Sequence, residues 1–394
     1  MKLPKGWKTL AMDMLGEVQA GRQRNPNITE GEMRPYLRVA NVQDGWIDFS
    51  DINRMPFSSR ELPIYELRSG DILLAEGQSL ELVGRPAVYG DELPGCCFQN
   101  TLVRLRPIGQ NPNFCYYVCY WQYVTGSFRR IAKQTTSIAH LGVSRFAEVV
   151  ASIPPLPEQQ KIADILGTWD EALEKLDALI AAKDRRKQAL MQQLFTGSRR
   201  LPGSRAWKRV CLSDVAEESS LRNGEKLKRD LLYAVTKAQG MVPMRENVQG
   251  ATINRCKIVE RGWFAYNPMR INIGSIARWE GADRVMVSPD YVVFRADKKR
   301  LHSDYLNHLR RASPWADFVG AAGNGSVRVR IWFDDLGRFE FSLPSLDEQR
   351  AIAAVLDTAD AELRLLRQQR AALNQQKRGL MQQLLTGKIR VNLS

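Results

Sequence analysis

The sequence predicts an α+β protein in which two α/β domains are separated by two long antiparallel coiled-coil helices, related as a pseudo-two-fold internal repeat. Three observations carry this reading. The segment 154–197 recurs without a gap as 344–387, an offset of 190 residues, with about half of its positions identical. Apolar residues inside both segments recur at alternating four- and three-residue steps, the 3.5 period of a coiled coil. The bodies before each segment read as short strands, turns and helices. The expected order is therefore a domain at 1–153, a helix at 154–197, a domain at 198–343, and a helix with a tail at 344–394.

The seam of the first helix is Ile162, Leu166, Trp169, Leu173, Leu176, Ile180, Leu190 and Leu194. That of the second is Ile352, Leu356, Ala359, Leu363, Leu366, Leu373, Leu380 and Leu384. Ser345 and Glu348 stand at capping-box spacing, Pro157 suits a first turn, and Gly197 and Gly387 suit the position just past a helix end. Polar breaks at Lys183, Lys187, Arg370 and Lys377 cost stability but fix register. Each seam left bare would aggregate, so the other copy is its expected partner. Antiparallel pairing follows because each domain lies between helices in the chain.

In the first body, 36–48 gives a strand, a turn at Asp44-Gly45 and a second strand. Residues 67–76 give a turn feeding a buried strand, 100–106 a half-exposed strand, 113–130 helix, and 133–137 a polar loop. The second body opens at Trp207-Lys208, answering Trp7-Lys8. Its 233–240 resembles 36–45, Arg261–Asn267 sits where Ser69–Ala75 sits, and 325–331 matches 135–141 at the same offset. Strands are expected to be mostly antiparallel.

A net charge of +14 and a pI near 9.6 favour a polyanionic partner. No stretch is long and apolar enough for a membrane span, and the N-terminus lacks a signal-peptide core, so a cytoplasmic protein is expected. Six cysteines (Cys96, Cys97, Cys115, Cys119, Cys211, Cys256) show no metal spacing and read as buried, reduced thiols. No metal site is expected. Catalytic patterns are equally sparse: there is no P-loop, no dinucleotide fingerprint and no nucleophile elbow. Asn267-Pro268-Met269-Arg270 lacks the second proline and aromatic of an amino-methyltransferase motif, and no glycine-rich cofactor loop precedes it.

Side chains suited to nucleic acid are better represented. Arg, Asn and Gln make bidentate contacts to guanine and adenine edges, whereas Ser, Thr and Lys hold phosphates. In the first body the candidates are Arg38, Asn41, Gln78, Arg85, Gln99, Asn100, Thr135 and Thr136. In the second they are Lys237, Arg270, Asn272, Arg278, Asn324, Ser326, Arg328 and Arg330.

The repeated P-x-L-x-E-Q start, at 154–159 and 344–349, and the L-M-Q-Q-L-(F/L)-T-G end resemble the specificity (S) subunits of type I restriction-modification systems. G-D-I-L-L-A-E (70–76) and G-S-V-R-V-R-I-W-F-D-D-L (325–336) are similar to stretches of that family's target recognition domains. The resemblance implies a non-catalytic subunit whose two recognition domains each bind half of a split, asymmetric target in double-stranded DNA. It also implies that the helices set the spacing and dock two modification (methyltransferase) subunits, which restriction (translocase) subunits can join. S-adenosylmethionine, ATP and Mg2+ would belong to those partners, with no cofactor in this chain. Gly262-Trp263-Phe264-Ala265 departs from the G-D-I-L pattern, leaving strand register in the second domain open. A fused restriction-methylation enzyme and a scaffold that binds only proteins are the alternatives. Missing cofactor motifs oppose the first, charge and polar loops the second.

Overall fold

The structure, a computed structural model, describes residues 3–25, 30–135, 137–201, 206–224, 226–245, 252–322 and 330–393. It divides into two compact units, one of residues 1–177 and 369–394 and one of residues 178–368. Each unit holds one body together with half of each long helix.

The first unit begins with strand β1 (Lys8–Ala11), followed by β2 (Gly16–Ala20), β3 (Glu32–Leu37), β4 (Asn53–Phe57) and the one-turn helix α1 (Leu62–Tyr65). Strands β5 (Ile72–Ala75), β6 (Gly77–Gln78), β7 (Pro86–Val88), β8 (Cys97–Phe98) and β9 (Leu102–Pro107) precede helices α2 (Pro112–Val124) and α3 (Ser127–Ile131). Then come β10 (Lys133–Gln134), β11 (Ala139–His140), α4 (Val143–Ala147), β12 (Val150–Ile153) and the long α5 (Leu156–Thr196). The main sheet runs β2-β9-β5-β7, a second runs β4-β3-β8, and β1 pairs with β12.

Strand β5 is buried on both faces, which explains its unbroken apolar run. Ile72 and Leu74 pack with Phe114, Val118 and Leu166, whereas Leu73 packs with Leu37, Tyr89 and Phe98. The same double cover corrects one expectation. Residues 100–106 are not half-exposed, because Arg104 of β9 is fully buried. Its guanidinium donates to the Ile64 carbonyl at 2.9 Å, pairs with Glu17 and lies over the Phe98 ring. The Asp44-Gly45 turn is present, with Gly45 at φ +85°, but a single Val42–Ile47 bridge replaces the expected strand pair. Helix 113–130 is broken at Gly126, whose φ is +76°. The stretch expected as a loop at 133–137 starts a hairpin instead, Lys133 pairing with His140.

In the second unit the strands are β13 (Lys208–Cys211), β14 (Ala216–Glu218), β15 (Leu232–Thr236), β16 (Gly240–Pro243), β17 (Lys257–Val259), β18 (Phe264–Tyr266), β19 (Ile276–Arg278), β20 (Val285–Val287) and β21 (Val292–Ala296). Helices α6 (Ser303–Leu309), α7 (Ser313–Ala322) and α8 (Phe333–Leu336), strand β22 (Glu340–Leu343) and the long α9 (Leu346–Leu385) complete it. The order β14-β21-β18-β19 repeats β2-β9-β5-β7, and β13 pairs with β22 as β1 does with β12. Strand β15 pairs antiparallel with β16 and parallel with β20, just as β3 does with β4 and β8. Gly262 (φ +84°) turns the chain into β18 where Gly70 (φ +88°) turns it into β5. That fixes the register the departing motif left open.

The long helices pair antiparallel within each unit. In the first, Asp170 meets Lys377 and Asp177 meets Arg370; in the second, Lys187 meets Asp360 and Lys183 meets Glu362. The polar breaks in the seam are thus ion pairs. Ile162, Leu166, Leu173, Leu194, Ile352, Leu356, Leu363 and Leu384 are buried; Trp169, Leu176, Ile180, Leu190, Leu366, Leu373 and Leu380 are half-buried. The E-Q pair that starts each helix fastens it to its body. Glu158 accepts from the Trp7 indole at 3.1 Å and from Arg390 at 3.0 and 2.9 Å; Glu348 accepts from Trp207 at 3.0 Å and from Arg200 at 3.2 Å. Gln159 accepts from the Asn111 amide and Gln349 from that of His302. Ser345 caps Glu348 as its spacing suggested, at 3.4 Å, and Gly197 and Gly387 end the helices with φ of +73° and +69°. The cysteines are free; all are buried except Cys211, which is half-buried.

Candidate nucleic-acid interface

The candidate surface lies where the buried central strand of each unit ends. In the first unit the chain leaves β5 at Glu76 and forms β6, which pairs with β11 so that Gln78 opposes Ala139 and Gly77 opposes His140. The Leu141 amide donates to the Glu76 carbonyl at 2.9 Å. In the second unit the chain leaves β18 at Asn267-Pro268, and the Ile331 amide donates to the Pro268 carbonyl at 3.1 Å. Residues 141 and 331 are separated by the repeat offset. One backbone tie thus presents a different set of side chains in each unit.

Around the first tie, Lys133, Gln134, Thr135 and Ile138 are exposed and Gln78 is half-buried. Around the second, Met269, Arg270, Asn272, Ile273, Arg330 and Trp332 are exposed. The side chains of Arg270, Asn272 and Arg330 make no hydrogen bond or ion pair among the described residues. Free guanidinium and carboxamide groups beside exposed apolar ones match what base edges and thymine methyls require. Thr136, Asn324, Ser326 and Arg328 lie outside the described residues.

Other candidates are committed to the fold. Asn41 is 3% exposed, accepts from the Arg38 amide at 3.0 Å, and donates to the Asp48 and Asp51 carbonyls at 2.9 Å each. Arg38 pairs with Asp51, and Arg85 donates to the Val42 carbonyl. These three shape the 38–51 loop. Beside it Gln99 is half-buried, its amide on the Leu37 carbonyl, and Asn100 is exposed. Arg278 is spent on Glu280, at 2.9 and 2.8 Å, and on Ser303 and Asp304.

Lys237, Asn272 and Arg278 line a cleft of about 660 Å³ with Trp279, Arg310 and Arg311. Among the described residues Arg310 donates to Asn307, at 3.0 and 2.8 Å, and to the Ile276 carbonyl at 3.1 Å. Burial, with Arg311 and Arg278 nearby, lowers its pKa to about 9. Arg310 is half-buried and has no carboxylate at hydrogen-bond distance among the described residues; with Lys237, Arg278 and Arg311 against the single acid Glu280, the described lining of this cleft is mostly cationic. Sequence reasoning missed Arg310, Arg311 and His140. The Arg-Arg doublet was a usable signal for the first two, and the match of 135–141 to 325–331, carried to its sixth position, for the third.

Comparison with known proteins identifies the family. The family model described as the type I restriction modification DNA specificity domain matches twice, at residues 4–182 and 205–375. A putative type I restriction enzyme specificity subunit (MjaX) of Methanocaldococcus jannaschii is 22% identical, covering 99% of this chain and 95% of its own. The MjaVIII specificity subunit of the same organism is 22% identical over 70% of each chain. Among solved structures, one from a study of complex assembly and conformational transition in the type I R-M system has a TM-score of 0.63 at 18% identity, covering 99% of this chain and 100% of that one. The S subunit from M. genitalium has a TM-score of 0.58 at 15% identity, covering 98% of both chains. At these identities the structural likeness is one of fold. Two family matches on two units of equal topology settle the kinship: the chain belongs to the type I restriction modification DNA specificity domain family.

Proposed function

We propose that this chain is the DNA-reading subunit of a type I restriction-modification complex, each body at 1–153 and 198–343 binding one half of a bipartite, asymmetric duplex target. The observation that carries the reading is the repeated tie, Leu141 to Glu76 and Ile331 to Pro268, which presents unlike side chains on one framework. Identical domains would read a palindrome; unlike domains read unlike halves. Arg270, Asn272 and Arg330, without side-chain partners among the described residues, are the base-edge and phosphate candidates of the second half, Gln78 and Thr135 those of the first. The helices 154–197 and 344–394 set the spacing and dock two modification subunits. Those partners supply methyl transfer, and this chain performs no catalysis of its own.

The test is to map methylated bases in cells that express the modification subunit with this chain, without it, and with residues 1–153 replaced by a foreign body. Methylation should require the chain, and the replacement should change one half of the target only. Label transfer by the purified chain alone, or a change in both halves, would overturn the reading.

A further inference from the structure

The two ties place His140 and Arg330 at the same position, 190 residues apart and each one residue before the tied amide. We propose that this is a matched base-reading position, at which His140 accepts a hydrogen bond from a base amino group in one half-site and Arg330 donates to guanine in the other. The inference rests on the DNA-reading function proposed above and adds which residues set one base pair in each half.

The chemistry follows from the neighbours. His140 is half-buried, and its Nδ1 lies 3.0 Å from the Glu76 carboxylate. Gly77 directly opposes it, and the ring lies over that residue: a Cβ there would sit 3.5 Å from Cε1. A carboxylate only accepts, so Nδ1 carries the proton and donates. In the neutral ring Nε2 is then an acceptor. The major-groove groups that donate to it are the N4 amine of cytosine and the N6 amine of adenine. In the second unit Pro268 stands where Glu76 stands and offers no side-chain acceptor. Arg330 is exposed, without hydrogen bond or ion pair among the described residues, so its donor fork stays free for guanine O6 and N7. Asp335 and Arg338 line the shallow hollow of about 410 Å³ beside it.

The experiment uses the complex with its modification subunits and a randomised-target binding selection near pH 8. Wild type, His140→Arg, Glu76→Gln and Arg330→His are compared. His140→Arg should move one position of one half-site from adenine or cytosine to guanine, leaving the other half unchanged. Glu76→Gln keeps the backbone tie and should blunt the same position, because an amide no longer fixes the ring proton. Arg330→His should relax guanine at one position of the other half, by roughly 5- to 150-fold given a bidentate pair worth about 1–3 kcal/mol. Circular dichroism confirms that each variant is folded. A wild-type complex without bipartite preference would sink the DNA-reading function itself. A specific wild type whose folded variants keep its base preferences, or lose affinity equally for all sequences, would overturn this inference alone.

Discussion

Replacing Glu158 by alanine tests whether the E-Q start of the long helix is a structural joint. The side chain is 1% exposed and holds both the Trp7 indole N–H and the Arg390 guanidinium. Truncation strands the indole, because Trp7 is itself 6% exposed, and an orphaned buried donor costs about 1–3 kcal/mol. Loss of the buried methylenes adds on the order of 1 kcal/mol. Arg390 is half-exposed and returns to water, so nothing is added for it. The sum is about 2–4 kcal/mol. For a unit of this size about 1 kcal/mol moves Tm by roughly 2–4 °C, so the first unit should melt on the order of 5–15 °C lower. Glu158→Gln keeps an acceptor for the indole and should lose about half as much. At the equivalent Glu348 the indole partner, Trp207, is only half-buried, so its stranded N–H is closer to water and Glu348→Ala should cost less. Calorimetry that resolves the two units reads all three variants. Equal melting for Glu158→Ala and wild type, or a larger loss at Glu348, would refute the joint.

Three further outcomes are expected. Lys377→Met should leave the first unit within about 1–2 kcal/mol of wild type, since the stem volume is kept and Asp170 is 43% exposed. The double variant with Lys187→Met should lose register specificity and give mixed oligomers on size exclusion. His308 is buried against Asp357, at 2.8 Å, with Asp360 and Arg311 nearby; burial outweighs the carboxylates and lowers its pKa below 6.5. The unfolded chain therefore takes up the proton first, and the contribution present above about pH 6.5 should fall as pH drops through that value, in urea melts that His308→Gln flattens. Inserting seven residues in both helices, after Ala178 and after Gln369, adds about 10.5 Å and should lengthen the mapped target spacer by about three base pairs. The same insertion in α5 alone would set the Asp170–Lys377 register against that of Lys187–Asp360, and should cost stability instead.

The helices were legible because period and repeat are local signals, and each seam residue ended buried or half-buried. Sheet pairing was not, since β1 finds β12 only across the whole first body. Alternation misled at Arg104: it reports one covered face, whereas this sheet is covered on both. In the candidate site residue type was legible and availability was not. Asn41 and Asn272 look alike in sequence, but distant carbonyls of Asp48 and Asp51 occupy the first and nothing described occupies the second. A side chain's freedom depends on what remote segments bring to it, and a linear pattern does not encode that.

The repeat itself separates the scaffold from the rim proposed to read DNA. Under the 190-residue offset Asp170–Lys377 becomes Asp360–Lys187, and Glu158–Arg390 becomes Glu348–Arg200. The first pair takes its acid from one copy of the helix segment and its base from the other; in the second the acid starts one copy and the base lies just past the end of the other. The residues that persist under the offset are therefore those whose partners also persist, and their acid or base is buried. At the rim equivalent positions carry unlike residues: Glu76 and Pro268, 192 residues apart and matched by the tie, and His140 and Arg330, 190 apart. Nothing inside the fold needs either rim pair to match, because the tie itself is made by backbone amides and carbonyls. Substitutions at the rim should change which base is preferred with little change in melting. Substitutions at the joints should lower melting and weaken binding to every sequence alike. A joint variant that redirected base preference at full stability would break this division.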